Sequence, residues 1–187
     1  MGTGGIATDH RRQGVQLRDS TGGRDARRER EVAVIYKSAS VDLVWIEPLG
    51  AESSDDGEAA TSTKIFTVTV LVRPTRRDQW EPSRKSVMGM ALASDSMGGV
   101  LFLFYDQIVR VARQYRQPLA DILAVAIAHE IGHVLLPPPA HSPTGIMRAE
   151  WEGDDIRHAV PGTLEFTPAQ TETIRRRVVA CCTQRTK

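Results

Sequence analysis

The chain has 187 residues, of which 41% are hydrophobic and 25% charged, and its formal net charge is +1. This composition is typical of one globular domain with a core of its own. The charge gives no argument for a nucleic-acid or anionic membrane partner, and no apolar run reaches the about 18 residues of a transmembrane helix. The two cysteines, Cys181 and Cys182, are adjacent and predict no disulfide framework.

The first 30 residues are rich in Gly, Arg, Asp and Ser and predict a disordered, solvated tail. Four arginines between positions 24 and 30 could form a nucleic-acid patch, but acidic residues interleave with them and no aromatic residue joins them, so the tail is favoured. The first 16 residues lack the apolar stretch of a signal peptide. As written, the chain is expected in the cytoplasm, and secretion would require a different start site.

The rest of the chain, 31–183, predicts alternating helices and strands. Residues 31–39 predict the end of a helix, and the polar segment 50–63 predicts a loop. Strands are predicted at 41–47, 64–72, 87–93 and 100–106, of which the first and last are expected in the core and the third is the weakest. Helices are predicted at 106–116, 119–136 and 167–180. Thr167 is the expected N-cap of the last helix, with Pro168 at its first position.

The helix at 119–136 reads LADILAVAIAHEIGHVLL and is apolar on nearly every face, which is typical of a helix buried inside its protein. Its only polar side chains are Asp121 near the start and then His129, Glu130 and His133. Burial of these last three would be costly without a compensating partner. A metal ion with its water is such a partner, whereas core histidines bonded to backbone carbonyls are the alternative.

The spacing of the three residues suits metal chemistry. His129 and His133 are four residues apart, so their rings project from one helix face and can hold the same ion. Glu130 is offset by about 100° and can reach the water on that ion as a general base. This is the H-E-x-x-H arrangement of zinc hydrolases, although chance alone would give the pattern in roughly one chain in a hundred.

A catalytic zinc ion usually takes a third protein ligand. His141, eight residues after His133, is the favoured candidate. Carboxylates further on could ligate instead, as in sites with two histidines and a glutamate, but the segment EWEGDD is a poor helix. These acidic candidates are Glu150, Glu152, Asp154 and Asp155. His10 and His158 have no partner at a suitable spacing and are interpreted as surface residues.

The segment HEIGHVLLPPPAHSPTGIM at 129–147 resembles the metzincins, a clan of zinc peptidases (zincins) with the motif H-E-x-x-H-x-x-G-x-x-H and a methionine turn under the metal. It is most similar to a group of uncharacterised bacterial proteins that read HEIGH…HSPTGIMR…W. The resemblance implies that Met147 lies beneath the metal, although a plain core methionine is the alternative. The segment departs from the metzincin motif in its spacing. The motif would place Gly at 136 and His at 139, where this chain has Leu136 and Pro139.

The expected fold is therefore α/β (α+β), with a twisted sheet of about four strands packed on helices. By the resemblance it is zincin-like, with an upper part at 31–141, a small lower part at 142–183 and a substrate lying extended along an edge strand. The expected function is a monomeric Zn²⁺ peptidase acting on peptides or proteins, with neither a nucleic-acid nor a membrane partner. The alternative is a catalytically degenerate zinc-binding or protein-interaction domain. Trp151 is interpreted as packing against the lower part, and the sequence indicates no role for Arg148.

Overall fold

The computed structural model describes residues 14–19, 25–46, 66–73, 87–94, 98–157 and 163–183. These segments form a mixed α/β structure of five strands and five helices. In chain order the elements are β1 (Gly14–Asp19), α1 (Ala26–Lys37), β2 (Asp42–Ile46), β3 (Phe66–Arg73), β4 (Gly89–Ser94), β5 (Gly98–Phe104), α2 (Tyr105–Tyr115), α3 (Leu119–Leu135), α4 (Gly153–Arg157) and α5 (Pro168–Thr183).

The five strands form one sheet in the order β2-β1-β3-β5-β4. The pairs β1–β2, β1–β3 and β3–β5 are parallel, and only the edge strand β4 runs antiparallel to its neighbour β5. The inner strands bury alternate side chains, since residues two apart on a strand share a face. These buried residues are Val15, Leu17, Val68, Val70, Leu101 and Leu103.

Strand β1 and the start of α1 correct the prediction of a tail at 14–19 and 25–30 and raise the sheet from about four strands to five. The rest of the predicted tail lies outside the described residues. Val15 and Leu17 are fully buried because β1 lies between β2 and β3. Helix α1 begins at Ala26 after Asp25, whose carboxylate accepts hydrogen bonds from the first-turn amides of Arg27 and Arg28. Tertiary pairing thus stabilises a strand whose own pattern is weak.

Helix α3 is the buried helix that its sequence predicts, since 13 of its 17 residues are buried. It packs against α1, α2 and α5 and against strands β4 and β5. The Tyr36 hydroxyl of α1 donates to the Ala128 carbonyl at 2.9 Å, and the buried Asp121 forms an ion pair with Arg27 at 3.0 Å. These contacts leave α3 little freedom to shift. Among the described residues, no helix is both long and apolar enough to cross a membrane.

The chain leaves α3 at Leu136, which is extended, and runs without regular structure to the short helix α4. Helix α4 was not predicted, and it lies where the segment EWEGDD was interpreted as a poor helix. The Asp155 carboxylate accepts a hydrogen bond from the Glu152 amide at 2.8 Å and pairs with Arg148 at 2.6 Å. Side-chain bonds of this kind hold a helical turn that propensity alone disfavours. The predicted loop at 50–63 lies outside the described residues.

Candidate metal centre

Helix α3 presents His129 and His133 on one face, as their spacing predicts. Their ring centroids are 4.8 Å apart, and the two Nε2 atoms are separated by 3.1 Å. His129 Nδ1 lies 2.7 Å from the Ile146 carbonyl oxygen and donates a hydrogen bond to it. Because a neutral imidazole carries only one proton, this bond leaves His129 Nε2 as an acceptor whose lone pair faces His133 Nε2.

The His141 ring joins these two from the loop after α3. Its centroid is 4.7 Å from that of His133 and 5.5 Å from that of His129. One nitrogen from each of the three rings lies within 4.8 Å of the others, so the group could hold a metal ion. Two nitrogens bound to one tetrahedral zinc ion at about 2.0–2.1 Å would be about 3.3 Å apart, close to the distance between the two Nε2 atoms.

The acidic residues proposed as rival ligands do not join this group within the described part of the chain. Glu152 and Asp155 both pair with Arg148, and Asp154 pairs with Arg157. Glu150 is exposed. The structure thus brings together the three histidines favoured by the sequence, and their role as ligands stays a prediction. His10 and His158 lie outside the described residues.

Burial keeps the helix histidines neutral, which is the form that binds a metal. The pKa of His133 falls to about 4, first because the ring is desolvated and then because charge on His129 or His141 would repel its proton. Desolvation also lowers the pKa of His129, and the bond to the Ile146 carbonyl opposes that shift. Little proton competition is therefore expected at these two rings near neutral pH.

Glu130 lies on the same helix with only 6% of its surface exposed, and burial raises its pKa to about 8. The carboxyl group lies against Gly89 of the edge strand β4. A β-carbon at Gly89 would be 2.8 Å from Glu130 Cγ and 2.9 Å from its Oε1. A cation beside this carboxyl group would favour its ionised form, in which it can accept a proton.

A tight turn at Gly145, Ile146 and Met147 contacts the site through the Ile146 carbonyl, which accepts the hydrogen bond from His129. Gly145 has a φ of +78°, a backbone conformation that favours glycine. A β-carbon there would also overlap the Glu165 carbonyl oxygen, so no other residue fits this position. Met147 is fully buried, and its sulfur fills the space over Gly132 of α3. A turn is present at this position and Met147 is a core residue, while its place beneath a metal stays a prediction.

Trp151 is a contributor to the site that the sequence did not reveal, since it was interpreted as packing in the lower part. Its Nε1 donates to the Ile146 carbonyl at 3.3 Å, the same oxygen that holds His129. The indole also contacts the His129 ring edge-on, with centroids 5.4 Å apart at 90°. Only the folded path of the loop brings Trp151 there, and no spacing rule predicts it.

No protein-family model matches the chain, and no curated protein matches it either.

Proposed function

We propose that this chain is a zinc-dependent hydrolase that cleaves peptide bonds and has a zincin-like fold. The observation that supports it best is the convergence of His129, His133 and His141 on one point, with the buried Glu130 next to His129 on the same helix. Three imidazole ligands favour zinc over the harder ions calcium and magnesium, which prefer oxygen ligands. With three protein ligands, a zinc site keeps one position open, as catalytic zinc sites do.

In the proposed reaction, the zinc ion and Glu130 would have different roles. A bound zinc ion would supply a Lewis acid that lowers the pKa of a water molecule in the site. Glu130 would accept the proton of that water as it attacks the scissile carbonyl carbon, and would then deliver a proton to the leaving amine nitrogen. The contact with Gly89 would hold the carboxyl group at the sheet edge, where such a substrate would lie.

A peptide is the proposed substrate because of the position of β4. This strand pairs with β5 on one side, and its other side has no strand partner among the described residues. An extended peptide can add to such an edge through main-chain hydrogen bonds. Gly89, at the start of β4, contacts Glu130 and so links that edge to the proposed base. The scissile bond of an added peptide would then lie near Glu130.

The experiment is digestion of a synthetic peptide library by zinc-loaded protein, with products identified by mass spectrometry. We expect cleavage that stops on addition of 1,10-phenanthroline and returns when zinc is restored in excess over the chelator. Zinc content is measured on the same samples. Bound zinc without cleavage of any peptide would overturn the peptidase and leave the alternative, a zinc-binding interaction domain.

The contact between Gly89 and Glu130 gives a second prediction. Gly89→Ala should displace Glu130 and lower kcat about 10²-fold, because a shift of about 1 Å at a reacting group has an effect of that size. Zinc content should not change. Overpacking should also lower the free energy of unfolding by about 1–3 kcal/mol, measured by urea denaturation.

Gly99→Ala is the matched control for that variant. A β-carbon at Gly99 would meet Val134 Cγ1 at 2.8 Å and the Leu92 carbonyl at 2.9 Å. These distances equal those at Gly89, but Glu130 is not among the groups contacted. Gly99→Ala should destabilise the protein by a similar amount while keeping kcat near the parental value. Equal losses of kcat in both variants would show that Gly89 acts on stability alone.

A further inference from the structure

The three converging histidines differ in how firmly the fold holds them. His129 and His133 lie on the buried helix α3, whereas His141 is exposed on a loop that follows three prolines. Among the described residues, the His141 ring contacts the other two rings, and no hydrogen-bond partner of its nitrogens is found. The position of the His141 ring must therefore depend on how its backbone is held.

The side chain of Gln170, in the first turn of α5, holds that backbone. Gln170 Nε2 donates to the carbonyl oxygen of Ala140, the residue before His141, at 3.0 Å. Gln170 Oε1 lies 3.5 Å from the hydroxyl of Ser142, the residue after His141. The Ser142 amide in turn donates to the Met147 carbonyl at 2.9 Å. One side-chain amide thus contacts both neighbours of the exposed histidine.

Gln170 is itself fixed by a reciprocal cap at the start of α5. The Gln170 amide donates to Thr167 Oγ1 at 3.3 Å, and the Thr167 amide donates to Gln170 Oε1 at 3.0 Å. This pair of bonds is a capping box, and it confirms Thr167 as the predicted N-cap. Because Oε1 is held by Thr167, Nε2 is directed at Ala140. Helix α5 is anchored in the core by the buried residues Ile174 and Val178.

We propose that Gln170 is a positioning residue for the third metal ligand, coupling the N-terminus of α5 to the His141 loop. This inference rests on the proposed metal centre. A flexible third ligand must be ordered each time a metal binds, whereas the bond to Ala140 orders its backbone beforehand. Loss of such a supporting bond typically weakens metal binding 10–100-fold.

Gln170→Glu isolates the bond to Ala140. Glutamate suits the capping box as well as glutamine does, so the Thr167 bonds remain. The donor toward the Ala140 carbonyl is replaced by an oxygen that repels it. We expect zinc affinity, measured by competition with a chromophoric chelator, to fall about 10–100-fold with little change in Tm. The absorption spectrum of the cobalt-substituted protein should also change, since it reports the ligand geometry.

Two further variants separate positioning from a general effect on α5. Thr167→Ala removes the hydroxyl that caps the Gln170 amide but keeps the backbone amide that holds Gln170 Oε1. It should therefore lower Tm while keeping zinc affinity. In a His141→Ala background, Gln170→Glu should cause no additional loss of affinity, because the ligand it positions is gone. The proposal is overturned if Gln170→Glu leaves zinc affinity unchanged, or if it weakens binding equally with and without His141. A weakening by Thr167→Ala as large as that by Gln170→Glu would also overturn it.

The positioning role of Gln170 can also be tested in the metal-free protein, even if the chain binds no zinc. Proton NMR cross-peaks between the rings of His141 and His133 should be present in the parent and in Thr167→Ala, and lost in Gln170→Glu. If the parent binds no zinc, the proposed function is wrong, while loss of these cross-peaks still supports the positioning role. Cross-peaks that persist in Gln170→Glu would contradict it.

Discussion

Glu130→Gln should lower kcat for peptide hydrolysis by about 10²–10⁴-fold, the usual contribution of a general base. Glutamine has nearly the same shape, so the space beside Gly89 stays filled and the three histidines keep their places. Zinc content should therefore remain at one ion per chain. The change should appear in kcat, because a lost proton acceptor affects the reaction more than the binding of substrate.

Glu150→Gln is the control for that substitution, since Glu150 is an exposed carboxylate in the segment that follows α3 and lies outside the histidine group. It should hydrolyse peptides at the parental rate. A Glu130→Gln protein that cleaves as fast as the parent would exclude Glu130 as the base. Loss of zinc from that variant would instead mean that Glu130 helps to hold the ion.

Either His129→Ala or His133→Ala should weaken zinc binding by about 10²–10³-fold. The figure follows from dividing the about 10–16 kcal/mol of a four-ligand zinc site evenly among its ligands. Hydrolysis should be lost with the metal. Equilibrium dialysis against buffered zinc measures the change, and His10→Ala, a histidine outside the proposed ligand set, should leave it unaffected. Parental affinity in either helix variant would remove that histidine from the ligand set.

The sequence predicted those elements of the fold that are determined by their own residues. Helix α3 is apolar on nearly every face, so burial was the only suitable environment for it. Strand β3 is dense in β-branched residues and was recognised for that reason. The pair His129 and His133 follows from helix geometry alone. Local patterns were sufficient in each of these cases.

The features that the sequence did not predict depend on contacts between distant segments. Strand β1 has only Val15 and Leu17 to bury and becomes a strand because two neighbours pair with it. Helix α4 depends on the Asp155 carboxylate at its start. Trp151 and Gln170 reach the site only after the loop has folded back onto α3 and α5, so neither has a spacing signature.

The position of His141 lies between these two cases. Its residue type and its place before the glycine turn made it the favoured third ligand, although its spacing departs from the metzincin motif by two residues. Three prolines, at 137–139, follow α3 and prevent the helix from continuing. The hydrogen bond from Gln170 to Ala140 and the turn at Gly145 hold the returning loop, so that the ring lies beside His129 and His133.

Anomalous X-ray scattering from zinc-loaded crystals, recorded above and below the zinc absorption edge, tests the metal centre most directly. One anomalous peak per chain is expected, bonded to a ring nitrogen of His129, His133 and His141 at about 2.0–2.1 Å. A zinc peak only at Cys181 and Cys182, or no peak between the three rings, would contradict the proposed centre.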